Sequence, residues 1–359
     1  LKHFPGHGDT DVDSHYDLPL LTFTKERLDS LEIYPFRELI MQGASGVMSA
    51  HMNIPSLDPT PNIPSSLSRP IVTELLKKQL GFKGLVITDG MEMRGVIKNF
   101  PEGEADAMAV IAGNDIVELS ENSSRAIKLV RKAVRQHRLS IGQIDSSVKK
   151  ILFAKYWAGL HTKDTVDEHN VLQGVTRAES FALQQQLADA SMTLLRGKSH
   201  IKTLSPEKRT IIISIGTTAV TAFQRNLGGY YHNSVLYTLD KNANANQVAR
   251  LMADLTQFDQ VIIGIHDTRT RPGNNMVLSA DLKMFIKTMA QRNTVFALFA
   301  NPYNLSALAG LENSKALIVA YQKEDYMQHA AASVVKNQLE ASGRLPVSVS
   351  AFFKYGDGE

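Results

Sequence analysis

The sequence predicts an α/β chain in two parts, each alternating short apolar strands with amphipathic helices. Runs of apolar residues such as Val47–Ala50 and Leu85–Thr88 recur at the spacing of one strand plus one helix. Polar residues follow directly on the strands of the first part, at His51, Asp89 and Ser120. A second regular alternation begins near residue 209, after a polar, weakly patterned stretch over 161–180. Repeated βα units imply a parallel sheet or a closed barrel in the first part. In the second they imply an open, doubly wound α/β/α sandwich.

Taken in order, residues 1–20 are rich in Gly, His and Asp and read as a loop, with the end of a strand at Lys2-His3-Phe4. Thr24 to about Gln42 reads as one helix, capped by Thr24, with Leu28, Leu31, Ile33, Phe36 and Ile40 near the helical period. Val47–Ala50 is a short strand, and 53–68 a Pro/Ser/Asn loop. Ser68 and Pro70 open a helix that runs to Leu80 and is closed by Gly81. Leu85–Thr88 and Asp115–Leu119 are strands on either side of a helix containing Ala105, Ala107, Val110 and Ile111. Helices near 123–138 and 141–157 complete this part, assigned to 1–160. Only three full strands are visible there, so a closed eight-stranded barrel needs the remainder upstream. Residues 161–189 read as a linker and connecting helix, and 352–359 as a tail. Between them, over 190–351, the expected strands are Thr210–Ile215, Ser234–Leu239, Val261–His266, Thr294–Ala300 and Ala316–Tyr321. Helices near 245–256, 280–291 and 325–340 separate several of them. No GxGxxG follows the first of these strands, and Gly216-Thr217-Thr218 is too generic to mark a phosphate loop.

Composition removes several function classes. The 359 residues contain no cysteine, which excludes disulfides, thiolate nucleophiles and Cys-ligated metals. With 39 Lys+Arg against 36 Asp+Glu, charge gives no case for nucleic acid or a membrane surface. No run of about 18 apolar residues suggests a membrane-spanning helix. The chain begins at Leu1 and enters a dense motif at once, so residues upstream, including any signal region, are expected to be missing. The ending Tyr355–Glu359 suggests the same downstream.

Two segments carry candidate chemistry. One is the strand end Ile87-Thr88-Asp89-Gly90; the other is the loop from Lys2 to His15. A carboxylate at the end of a rigid strand suits a nucleophile, which must be ionised and aimed at the reacting carbon. Asp89 equally fits the N-cap of a following helix. Asp13 and His15, two residues apart, suit a proton shuttle in which the carboxylate orients the imidazole. They also fit a polar surface turn. Lys2 and His3 offer donors for sugar hydroxyls or a plain basic strand terminus. His7, between two glycines, reads as part of the turn. Asp9, Asp11 and Asp13 begin like a calcium loop, but Ser14 and Leu20 stand where that loop needs Gly and Glu. A metal site from His3, His7, Asp9 and His15 lacks the HExxH pattern. No metal or organic cofactor is expected.

Lys2 to Thr10, followed by Asp13-Ser14-His15, resembles the KHFPGHGDT…DSH signature of glycoside hydrolase family 3 β-N-acetylglucosaminidases of the NagZ type. Ser49-Ala50-His51, Ile87-Thr88-Asp89 and Ile144–Leu152 resemble later parts of the same barrel, and 190–351 the C-terminal domain. The resemblance implies the C-terminal half of a (β/α)8 TIM-type barrel followed by an α/β/α sandwich domain. It implies a retaining exo-β-N-acetylglucosaminidase acting on peptidoglycan fragments or chitooligosaccharides. Asp89 is then the nucleophile, His15 paired with Asp13 the general acid/base, and Lys2 and His3 hold the sugar. The arginine and aspartate that the family takes from earlier strands have no counterpart here, so this fragment alone is expected to be poorly active or inactive. Longer relatives carry a downstream serine-hydrolase domain. The implied substrate points to the bacterial periplasm or secretion rather than the cytoplasm. A neutral imidazole would also admit phosphate in place of water as acceptor. Other family 3 β-glycosidases and a non-catalytic carbohydrate-binding protein are the rival readings, with a metal-dependent hydrolase behind them. The DSH turn argues against a glucosidase.

Overall fold

The structure, a computed structural model, describes residues 1–162, 168–270 and 275–359. It is an α/β chain that divides into two compact units, Leu1–Val166 and Asp167–Glu359. Part of the expected linker, 163–167, lies outside the described residues; its helix is present at Ala178–Ser191.

The first unit is built on two parallel strands, β1 (Gly46–Ser49) and β2 (Leu85–Thr88), paired in register from Gly46 with Leu85 to Ser49 with Thr88. Single bridges extend this pair on both sides, Phe4 to Ser49 and Ile87 to Ile116. The helix expected over Thr24–Gln42 is two helices, Lys25–Ser30 and Tyr34–Met41. Thr24 caps the first as expected, accepting from the Arg27 N–H. Pro35 breaks the run, because it has no N–H to continue the first helix and suits the first turn of the second. Leu31, at the break, is exposed, while Leu28, Ile33 and Phe36 reach the core. Ser68 Oγ accepts from Ile71 N–H and opens a helix over Pro70–Gln79, wound with i→i+5 hydrogen bonds; Leu80 N–H ends it on Leu75 O.

Asp115–Leu119 is not a regular strand. Its backbone meets β2 only around Ile116, because side chains take the places of ladder partners. The Asp115 carboxylate accepts the Val86 N–H at 2.9 Å, and Thr88 Oγ1 accepts the Glu118 N–H at 3.0 Å. Leu119 then turns away with φ of 51°.

Asp115 is also the charge centre of this end of the unit. Its side chain is 2% exposed and lies 3.2 Å from Lys77 Nζ and 3.0 Å from Lys150 Nζ. Ser147 Oγ donates to it at 2.6 Å. Burial pushes the Asp115 pKa up, but the Ser147 and Val86 donors and the two ammonium groups outweigh it and hold the carboxyl below its usual value. Its contribution to stability is therefore complete above a pH of about 3.9 and is lost as pH falls through the lower folded value. Asp115→Ala strands two partly buried cations and an amide. Urea unfolding of this variant should show a loss of about 3 kcal/mol, and Asp115→Asn a smaller one. An unchanged midpoint for Asp115→Ala would remove the buried pair from the stability account.

The second unit holds one six-stranded sheet, β3 (Thr193–Arg196), β4 (Thr210–Ile215), β5 (Ser234–Leu239), β6 (Gln260–His266), β7 (Thr294–Phe299) and β8 (Ala316–Val319), in the order β3-β8-β7-β6-β4-β5. All pairs are parallel except β3 with β8. The edge strand β3 is absent from the expected set. Its four residues start one residue after helix Ala178–Ser191 and give no period of their own. β8 stops at Val319, and Tyr321 takes a positive φ of 60°. Strand residues point alternately into two apolar clusters. Ile211, Ile213 and Ile215 meet Leu251, Leu282 and Phe285. Ile212, Ile262 and Val295 meet Phe223, Ala331 and Val335.

Candidate active site

Asp89 stands one residue beyond β2. Its N–H donates to Ser49 O at 2.9 Å, so the sheet fixes its backbone. The Gly90 N–H donates to Asp89 Oδ1 at 2.9 Å, and the side chain stays 21% exposed. The carboxylate is thus anchored at one oxygen and open at the other.

His51, beyond β1, is wholly buried behind it. The Gly90 carbonyl can only accept, so His51 Nε2 carries the hydrogen and donates to it at 3.1 Å. Nδ1 is then the acceptor for Ser66 O–H at 2.7 Å. Burial lowers the His51 pKa, and the nearby Asp89 charge only partly opposes this. The ring is a neutral prop that fixes the Gly90–Met91 peptide, directly after Asp89. The strand-end pattern places His51 at this rim, but its tie to Gly90 spans residues far apart in sequence and leaves no local signal.

His3 approaches Asp89 from the neighbouring bridged segment, with Nε2 3.8 Å from Oδ2. That approach is too long for a hydrogen bond. Burial lowers the His3 pKa, Asp89 opposes this, and Lys2, His7 and His15 lower it further. These groups therefore share one electrostatic neighbourhood. Lys2 is exposed beside it.

The loop to His15 is braced from within. His7 Nδ1 lies 3.0 Å from Thr10 Oγ1, and Nε2 lies 3.0 Å from Ser14 Oγ. The expected turn residue His7 is thus a strut between the two ends of the motif. Asp13 Oδ1 accepts from the His15 N–H at 2.9 Å and from its Nδ1 at 2.7 Å. A carboxylate cannot donate, so Nδ1 bears a hydrogen and Nε2 is the nitrogen that faces outward. The His15 backbone and ring donors hold the Asp13 carboxyl below the usual range. Both side chains remain largely exposed.

Three contacts tie this turn to the segment after Asp89. Arg94 N–H donates to His15 O at 3.4 Å, and Lys98 Nζ pairs with Asp17 at 3.1 Å. Between them the backbone of Gly95 lies so close that a Cβ there would sit 3.0 Å from the carbonyl oxygens of Ser14 and Asp17. Arg94, Gly95 and Lys98 carry no chemical signature in the sequence. Among the described residues, no group of three or more His, Asp or Glu is placed to hold a metal ion. No helix there is long and apolar enough to cross a membrane.

Residues 1–154 match the family model described as glycosyl hydrolase family 3 N terminal domain. The "Beta-hexosaminidase A" of Pseudoalteromonas piscicida is 24% identical over 98% of this chain and 65% of its own length. A "Beta-hexosaminidase" of Nitrosospira multiformis is 33% identical over 36% of each chain. Among solved structures, a glycoside hydrolase family 3 beta-N-acetylglucosaminidase from a Paenibacillus species superposes with a TM-score of 0.76 at 28% identity. The match covers 97% of this chain and 67% of that one. The chain thus spans about two thirds of the Pseudoalteromonas relative.

Proposed function

We propose that this chain, whose residues 1–154 match the family model of the glycosyl hydrolase family 3 N terminal domain, is the site-bearing part of a retaining exo-β-N-acetylglucosaminidase. In this reading residues 1–160 are the C-terminal half of a (β/α)8 barrel, 190–351 are an α/β/α sandwich domain, and the rest of the barrel lies upstream. The substrate is a terminal β-linked N-acetylglucosamine on peptidoglycan fragments or chitooligosaccharides, which suits a periplasmic or secreted enzyme. A downstream serine-hydrolase domain remains part of this proposal.

Asp89 attacks the anomeric carbon and forms a glycosyl ester. His15, protonated at Nε2 and braced by Asp13 at Nδ1, gives its proton to the leaving oxygen. The neutral ring then takes a proton from water as its oxygen attacks the anomeric carbon; the bond to Asp89 breaks, the carboxylate is released and the β configuration is restored. Lys2 and His3 bind sugar hydroxyls beside Asp89. No metal or organic cofactor enters these steps.

One observation carries the reading: the His15 turn is fastened to the segment that follows Asp89, through Arg94, Gly95 and Lys98. This fastening supports a proton donor and a nucleophile that act at the same anomeric carbon, as double displacement requires. Relative rates on nitrophenyl β-N-acetylglucosaminide and β-glucoside, with product stereochemistry by NMR, test it in the full-length protein. A preference for the glucoside, or an α product, refutes it. Sugar binding without turnover would favour a carbohydrate-binding protein, and loss of turnover with a chelator a metal-dependent hydrolase. Equal product profiles with and without phosphate would exclude phosphorolysis.

His51 acts through Asp89 rather than on substrate. His51→Leu removes the donor to Gly90 O, and kcat should fall about tenfold with KM little changed. His51→Gln, which can still donate, should recover part of that loss. An equal loss in both variants would point to packing alone.

A further inference from the structure

The second unit carries a cavity that the glycosidase reading does not use. The chain leaves β4 for β5 on one side and returns to β6 on the other. The carboxyl ends of β4 and β6 therefore form the topological switch point of the sheet, where open α/β sheets bind ligands. A cavity of about 200 Å³ opens there, with His266 in its wall.

The ends of β4 and β6 are pressed together. Gly216, directly after β4, has φ of 95°, and a Cβ there would lie 2.2 Å from His266 O. His266 is 2% exposed and stacks on Phe299 with ring centroids 4.4 Å apart. Its Nε2 lies 3.2 Å from Ser214 Oγ, which lies 3.1 Å from Thr221 Oγ1. Among the described residues, Nδ1 meets no hydrogen-bond partner. A ring nitrogen in the cavity wall without a protein partner is open to a ligand or water. Burial pushes the His266 pKa down to about 3, so the ring is neutral and offers one hydrogen. If Ser214 donates to Nε2, that hydrogen is on Nδ1.

The charged side chains of the wall are Arg225, Lys323 and Asp325. Lys323 Nζ donates to Thr268 O at 3.0 Å and Arg269 O at 2.9 Å, which leaves its third hydrogen. Arg225 spends Nη1 on Val220 O at 2.8 Å and keeps the rest of its fork. Two cations against one carboxylate favour a compact anion, and Asp325 disfavours a high negative charge. The neighbouring Asp267 is already satisfied by Arg269 at 2.7 and 2.8 Å.

We propose that this cavity binds a small oxyanion, of the size of a phosphate or a short carboxylate, between Lys323, Arg225 and the Nδ1–H of His266. The residues of this site all belong to the second unit, and the proposal does not rest on the glycosidase assignment. The volume is too small for a nucleotide, in keeping with the missing glycine-rich loop.

The test is titration of the full chain with inorganic phosphate and, separately, with lactate, following the His266 ring by NMR. Sodium chloride at matched ionic strength is the control. The ring signal should shift saturably at millimolar ligand, and Lys323→Gln and Arg225→Gln should each weaken binding about five- to tenfold. Arg225 is exposed, so its variant stays informative if Lys323→Gln loosens the loop. Saturation by either anion upholds the site and identifies the oxyanion it takes. An equal response to chloride, no shift with either anion, or undiminished affinity in both variants overturns it.

Discussion

Asp89→Ala in the full-length protein should lower kcat by about 10⁴-fold and abolish covalent trapping by a fluorinated sugar, as read by intact mass. The reason is geometric. Asp89 is held at the end of β2 by its N–H on Ser49 O, and Gly90 N–H fixes one carboxylate oxygen. Among the described residues, Asp89 is the carboxylate that His3 approaches. Asp89→Asn should be almost as inactive, because an amide keeps the shape but lacks the nucleophilic oxygen pair. Added azide should restore turnover in Asp89→Ala and deliver the α-glycosyl azide, since the small anion attacks from the vacated face. A trapped adduct on another residue, or activity within tenfold of the parent, would sink the nucleophile assignment.

His15→Ala separates the two half-reactions. A nitrophenolate leaves without a proton, so the first step should change little for nitrophenyl substrates. A natural sugar leaving group needs that proton, and its rate should fall about 10³-fold. The second step also loses its base, so nitrophenyl substrates should show a burst followed by slow release. Asp13→Asn should behave as a weaker copy, because it removes the charge that favours the imidazolium and weakens the hold on Nδ1. Equal losses on both substrates would mean that His15 binds or braces rather than transfers protons.

Sequence and structure divide the explanation unevenly. β2 is legible because its four residues are a β-branched, apolar run with Asp89 directly after it. In the second unit, β4 and β5 have the bounds their patterns predict; β4, buried throughout, reads as a near-continuous apolar run, while β5 is a partly exposed edge strand. Helix breaks and irregular pairing are less legible. Pro35 is visible in the sequence, yet the periodic apolar residues around it mask the break. The Asp115–Leu119 segment has a strand's composition, but Asp115 and Thr88 side chains occupy its partners.

The sequence by itself determined the chemical inventory: a carboxylate at a strand end, a carboxylate–imidazole pair two residues apart, no cysteine, and a second α/β unit. Those are local properties, written in residue type and short spacing. Only the tertiary structure decided that Gly95 and Lys98 fasten the His15 turn to the segment beyond Asp89, that His51 props Gly90, and that His266 opens on a cavity between β4 and β6. Each of these depends on contacts between residues distant along the chain, where packing and not periodicity sets the distance.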